Sequence, residues 1–336
     1  MTLTPTESRR PRVFVTRRLP GDALARLGAE AEVDLWPDEL PPPYETMLRH
    51  VSNADGLLCL LTDRVDAALL EAAPRLRVVS TMAVGYDNID VEAATARGIA
   101  VGNTPGVLTE TTADLAFALI LATARRVVEA DSFLRRGKWR TWDPSLLLGY
   151  DVHGSTLGIV GFGAIGQAVA RRANGFSMRV LYASRADRGD DLGTRVDLAT
   201  LLRESDFVSL HAPATAETAG MIGEAELQLM KPTAILINTA RGTLVDQPAL
   251  VRALTEGWIA SAALDVMAVE PIPFDDPLLR APNVTLLPHI GSASHATRAR
   301  MASMAVDNCL AGVHGEPLPN CVNPGVRSRG ESKQAP

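Results

Sequence analysis

At 336 residues the chain is about twice a typical domain of roughly 150, so two medium domains with room for a cleft are the first expectation. Apolar residues make up 46%, and 33 basic against 39 acidic residues give a formal net charge of -6. That balance argues against a disordered chain and against a polyanion binder, and leaves an enzyme and a folded binding module open.

The opening MTLTPTESRRP is polar and lacks the apolar stretch of a secretory signal. RVFVT at 12–16 alternates and reads as a first strand, followed by an Ala- and Leu-rich helix. GLLCLL at 56–61, DAALLEAA at 66–73, LRVVSTM at 76–82 and GIAVGN at 98–103 continue the pattern, strands separated by helical material, as in a small parallel sheet. From Pro105 the register turns helical. LAFALILA at 115–122 is the longest apolar helical run, too short to span a membrane and suited to a buried core helix continuing toward RRVVEAD at 125–131. RRGKWRTWDPS at 135–145 then carries two tryptophans in a basic loop, which reads as surface packing, an interface or a substrate lid.

A second series of strands follows at STLGIVG, MRVLYA, DFVSLHA, TAILINTA, IASAALDV and NVTLLPH. GSASHATRARMASMAVDNCLAG then reads as a helix returning to the first domain, and PNCVNPGVRSRGESKQAP as an extended terminal segment with a mobile end. The expected division is a split domain of residues 1–104 and 289–336, with residues 105–288 inserted as a larger α/β domain.

Gly161, Phe162, Gly163, Ala164, Ile165 and Gly166 follow the strand TLGIV and open a helix, the context a dinucleotide-binding fingerprint requires. Gly161 permits the turn, Gly163 admits a pyrophosphate, Gly166 allows close helix packing, and the helix N-terminus offers N–H groups to the anion. A tight turn without a ligand is the structural alternative. At the end of the next strand an NAD-selective site usually places Asp or Glu, whereas this chain has Ser184 and Arg185, with Arg188 nearby. A hydroxyl and a guanidinium suit a 2'-phosphate, so the local chemistry favours NADPH and leaves NADH, or a merely solvated turn, open.

In an open parallel sheet, ligands bind beyond the carboxyl ends of the strands. Arg241, Asp265 with Glu270, and His289 stand at or just past three successive late strands. Arg241 suits a substrate carboxylate, His289 suits proton exchange with a carbonyl oxygen near neutral pH, and Glu270 suits orienting that imidazole. Each also has a structural reading: a satisfied histidine, a surface ion pair, a loop or cap carboxylate. His289 and His295 do not specify a metal site, and Cys59, Cys309 and Cys321 lack the spacing of a disulfide framework or a zinc knuckle, so no metal and a reducing, cytoplasmic setting are expected.

VGFGAIG, NTARGTLVD, ALDVMAVEP and LLPHIGSAS together resemble the D-isomer-specific 2-hydroxyacid dehydrogenase family, over roughly residues 12 to 323. RGKWRTWDP and LLGYDVHGSTLGIVGFGAIG are similar to its glyoxylate/hydroxypyruvate reductase branch. The resemblance implies an α/β fold of two open parallel sheets, a Rossmann nucleotide-binding domain inserted into a smaller flavodoxin-like substrate domain. It implies NAD(P)H-dependent reduction of a small anionic 2-oxoacid, glyoxylate or hydroxypyruvate, with Arg241, Glu270 and His289 as the catalytic group. It further implies main-chain contacts from Val84 and Gly85 to the substrate carboxylate, Thr109 near the cofactor phosphate, and a homodimer in which Trp142 reaches the partner's substrate pocket. Ser292 is a candidate hydrogen-bonding group at the substrate, and Asp265 a support for Arg241 or the nicotinamide pocket. No nucleic acid or membrane partner is expected. The alternatives are oxidation of another small anion, such as a different D-2-hydroxy acid or phosphite, and an NAD(H)-sensing, corepressor-like binding module.

Overall fold

The computed structural model describes residues 9–186 and 191–326. Two compact units divide the chain: residues up to Leu108 together with those from Ser294 onward, and Thr109–Ala293. The sequence places these boundaries at 105 and 289, and the structure places them at 109 and 294. His289 therefore lies in the second unit, because its backbone N–H bonds to the Asp265 carbonyl at 2.9 Å and its ring bonds to Glu270. The polar start (residues 1–8), Arg188 and the terminal residues 327–336 fall outside the described residues.

The first unit alternates β1 (Arg12–Val15), α1 (Ala23–Glu30), β2 (Glu32–Leu35), α2 (Tyr44–Val51), β3 (Gly56–Cys59), α3 (Ala67–Glu71), β4 (Val78–Thr81), α4 (Val91–Ala96) and β5 (Ala100–Gly102). Its sheet is parallel, in the order β2-β1-β3-β4-β5. β3 and β4 are buried at every position, so neither shows the alternation of a half-exposed strand, although β4 ends in the buried hydroxyls of Ser80 and Thr81. Glu-Val-Asp-Leu at 32–35 is not predicted as a strand, because this edge strand has no buried residue and too little apolar signal.

The expected returning helix is present as His295–His314. It lies close against the sheet: a Cβ on Gly312 would come within 2.4 Å of Val78, and Ser80 Oγ donates to the Ala305 carbonyl at 2.8 Å. The chain then runs beside β5, where Asn323 Oδ1 accepts from the Val101 N–H at 2.8 Å and Val322 N–H donates to the Val101 carbonyl.

The second unit opens with α5 (Thr109–Ala124) and α6 (Val127–Arg135). It continues with β6 (Thr156–Val160), α7 (Ala164–Asn174), β7 (Arg179–Ala183), β8 (Thr194–Arg195), α8 (Leu198–Glu204) and β9 (Phe207–Leu210). α9 (Glu224–Leu229), β10 (Ile235–Asn238), α10 (Gln247–Glu256), β11 (Ser261–Leu264) and β12 (Val284–Leu286) complete it. α5 is the apolar core helix expected at 115–122, burying Ala116, Phe117, Leu119 and Ile120. It does not continue to 131 as the sequence suggests: Arg126 turns left-handed at a φ of 52° and its guanidinium binds Glu129, which starts α6 in a new direction.

All seven strands are parallel, in the order β12-β11-β10-β9-β6-β7-β8. After β6 the chain moves one way to β7 and β8, then returns to the other side of β6 with β9. That reversal between β6 and β9 is the switch point at which such sheets bind ligands beyond their carboxyl ends.

Candidate active site

β6 ends at Val160 and leads directly into Gly161, whose φ of 91° is costly for any residue with a Cβ. A Cβ there would also meet Ala212 N at 2.5 Å, so this glycine serves both the turn and the approach of the segment after β9. Gly166 allows α7 to begin against the loop, since its Cβ would lie 2.3 Å from the Gly161 carbonyl oxygen. Gly163, the N-cap of α7, makes no side-chain cap, and nothing lies within 4 Å of the position a Cβ would occupy. The helix therefore presents uncapped N–H groups beside open space, an arrangement that fits a pyrophosphate. Phe162 points away into the core and stacks on Tyr182 of β7 at 3.9 Å and 12°, tying the fingerprint to the neighbouring strand.

Ser184 and Arg185 follow the end of β7, the first half-buried and the second exposed. Thr109 is the first residue of α5 and half-buried. His211, to which no sequence motif points, is held at the end of β9 with Nε2 2.8 Å from Ser209 Oγ, and burial pushes its imidazole down to about 4. It is a neutral histidine beside the fingerprint. Only its position after a buried strand could have marked it.

Three loops after β10, β11 and β12 bring Arg241, Asp265, Glu270 and His289 into one group. Asn238 folds the first, its side chain accepting from the Ala240 N–H at 3.0 Å and donating to the Arg241 carbonyl at 2.8 Å. Gly242 lets that loop touch the next one: a Cβ would sit 1.9 Å from the Met267 carbonyl carbon. Glu270 Oε1 accepts from the Met267 N–H at 3.0 Å, and Glu270 Oε2 lies 2.7 Å from His289 Nδ1. Burial alone would raise the Glu270 carboxyl, but the bonds from His289 and Met267 and the charge of Arg241 together hold it below the usual carboxylate range.

Asp265 is fully buried and spans the loop that carries His289, its Oδ1 accepting from Ile290 N–H and its Oδ2 from Gly291 N–H, both at 2.7 Å. Burial raises this carboxyl, against the two N–H donors that favour its charged form. The residue thus supports the His289 loop. Asp265→Asn puts an amide donor opposite a buried N–H and is expected to destabilise the second unit by about 2–4 kcal/mol. A lowered urea midpoint checks this, and an unchanged midpoint counts against it.

Ser292 is half-buried in that loop, three residues beyond His289. Val84 and Gly85 belong to the first unit, where Asn103 Nδ2 donates to the Val84 carbonyl at 2.9 Å. Trp142 is 77% exposed in the loop after α6. His289 and His295 belong to different units, and among the described residues no cluster of His, Cys, Asp or Glu has a metal-holding arrangement.

Residues 117–291 match the family described as D-isomer specific 2-hydroxyacid dehydrogenase, NAD binding domain. Over 319 residues the chain is 59% identical to a glyoxylate reductase of Korarchaeum cryptofilum, covering 94% of this chain and 96% of that protein. A Thermus thermophilus protein of solved structure, 50% identical, superposes with a TM-score of 0.89 over 93% of this chain and 99% of its own. An NADPH-dependent glyoxylate/hydroxypyruvate reductase from Sinorhizobium meliloti, solved with NADP and malonate, is 34% identical with a TM-score of 0.84, covering 96% and 99% of the two chains.

Proposed function

Since the chain belongs to the D-isomer-specific 2-hydroxyacid dehydrogenase family, in its glyoxylate-reductase branch, we propose that it reduces glyoxylate to glycolate and hydroxypyruvate to D-glycerate. When bound, NAD(P)H supplies a hydride to the carbonyl carbon of the 2-oxoacid. The observation that carries the reading is the 2.7 Å contact between Glu270 Oε2 and His289 Nδ1. It fixes the ring and leaves Nε2 to give a proton to the carbonyl oxygen in reduction and to take it back in oxidation. Arg241 holds the substrate carboxylate through its guanidinium fork, with the main-chain N–H groups of Val84 and Gly85 and the Ser292 hydroxyl as further donors.

The fingerprint residues 161–166 hold the pyrophosphate and Thr109 approaches it, while Ser184 and Arg185 give NADPH the advantage over NADH. A matrix of initial rates with both cofactors and with glyoxylate, hydroxypyruvate and pyruvate tests the assignment. Faster NADPH-linked turnover of glyoxylate or hydroxypyruvate than of pyruvate is expected. Negligible turnover of all three alongside tight NAD(H) binding would instead favour a sensing module.

The segment 127–148 supports a homodimer. Val127, Val128, Leu134, Trp139, Trp142 and Leu148 are each more than half exposed, and α6 buries none of its residues. A run of apolar side chains of this extent calls for cover, and a second copy that receives Trp142 near its substrate site supplies it. Sedimentation at micromolar concentration is expected to give twice the chain mass; a single-chain mass would overturn the reading. The three cysteines are free, which supports a cytosolic setting. Among the described residues no helix is long and apolar enough to cross a membrane.

A further inference from the structure

We propose that Arg195 is a second determinant of cofactor selectivity, fixing the Ser184–Arg185 turn by its main-chain carbonyls and adding a second cation for an adenosine 2'-phosphate. The proposal rests on the NADPH reading above and deepens it. β8 has only two residues, both exposed, and pairs Leu181 with Thr194 and Tyr182 with Arg195. From that register the Arg195 side chain runs up to the turn that follows β7. Its Nε and Nη2 donate to the Ser184 carbonyl at 3.2 and 3.0 Å, and Nη2 also donates to the Arg185 carbonyl at 3.1 Å.

In a nucleotide domain of this topology, the residue just past the end of the second strand faces the adenosine ribose, and here that strand ends at Ala183 and Ser184 follows it. Arg195 therefore places its guanidinium on the backbone of the very residues that meet the 2' position. An arginine has five N–H donors in a rigid fork. The three bonds use Nε and Nη2, and Nη1 makes none among the described residues, so one side of the fork can clamp carbonyls while the other meets an anion.

Arg185 has company that weakens it. The Glu217 carboxyl sits below the usual range chiefly through a hydrogen bond from Thr215, and the charge of Arg185 contributes to the same effect. A carboxylate that shares the Arg185 field also repels a phosphate, which carries close to two negative charges at neutral pH. Among the described residues the Arg195 guanidinium bonds to neutral main-chain carbonyls, so its charge restores the positive balance that Glu217 offsets. The arrangement pairs a fixed turn with a charge, and a lysine could supply only the second.

The test is calorimetric titration of the full chain with adenosine 2',5'-bisphosphate and with adenosine 5'-monophosphate, which differ only in the 2'-phosphate. Arg195→Leu is expected to weaken the bisphosphate about tenfold and leave the monophosphate within about twofold, because only one ligand uses the charge. Arg195→Lys is expected to fall between the two proteins. Equal weakening of both ligands by Arg195→Leu would show a purely structural role and overturn the proposal. If Arg185→Ala removes the preference for the bisphosphate and Arg195→Leu does not, the proposal fails while the NADPH reading stands. If the unaltered protein shows no preference for the bisphosphate, both fail together.

Discussion

Replacing His289 by alanine is expected to lower kcat for glyoxylate reduction by about 10²–10⁴-fold, the range that loss of a positioned general acid produces. The ring is fixed by Glu270 on one nitrogen, and its backbone adopts a φ of 54°, so the residue is held in a conformation few side chains choose. Alanine could strain that turn, and His289→Asn, which tolerates a left-handed backbone better, separates loss of the proton donor from loss of the loop. Both variants should bind NAD(P)H as the unaltered protein does. Single-turnover rates measured across pH decide the matter, and an unchanged reduction rate at every pH would falsify the assignment.

Glu270→Gln adds a check of sign to the same experiment. Glu270 is held below its usual range in the folded chain, so its negative charge is fully present above the ordinary carboxylate value and is lost only as pH falls through the lowered one. Glutamine removes the charge at all pH values, so the fall in rate that protonation of Glu270 produces at low pH is expected to vanish in Glu270→Gln, with kcat lowered throughout. An acid limb that persists unchanged in the variant would mean that it does not come from Glu270.

Arg241→Gln is expected to lower kcat/KM for glyoxylate by about 10²–10³-fold, equivalent to about 3–4 kcal/mol, since it leaves a substrate carboxylate without its cation. Arg241→Lys should recover only part of this, because an ammonium keeps the charge and loses the two parallel N–H bonds. The Arg241 loop is set by Asn238, and its close approach to Met267 requires Gly242, so the guanidinium is supported by backbone that either substitution leaves in place. An aldehyde of similar size without a carboxylate supplies the control. Its slow turnover should change little in Arg241→Gln. An equal loss on both substrates would assign Arg241 to general loop stability.

Much of this protein was legible in the sequence, for identifiable reasons. β3 and β4 of the first sheet and β6, β9 and β10 of the second are buried on both faces, so their apolar runs stand out without any knowledge of what packs on them. The fingerprint was legible because glycine is chemically singular. A φ of 91° at Gly161 and a Cβ clearance of 2.3 Å at Gly166 admit little else. Arg241, Glu270 and His289 stood out because each follows a strand whose carboxyl end faces the ligand side of an open sheet.

The sequence by itself thus determined the two parallel sheets, the nucleotide fingerprint and the residue types available for carbonyl reduction. The edge strands β2 and β8 escaped it, since Glu-Val-Asp-Leu at 32–35 and Thr194–Arg195 bury no residue and lack an apolar run. The unit to which His289 belongs escaped it as well, because that was decided by bonds to Asp265 and Glu270, separated from it along the chain. Only the tertiary structure showed Asp265 holding the His289 loop through two backbone N–H groups, His211 half-buried and neutral beside Gly161, and Arg195 lying on the carbonyls of Ser184 and Arg185. Local pattern reports burial and backbone freedom along one segment; which charges and donors meet across segments is fixed when the sheet register and the loop packing bring them within hydrogen-bond distance.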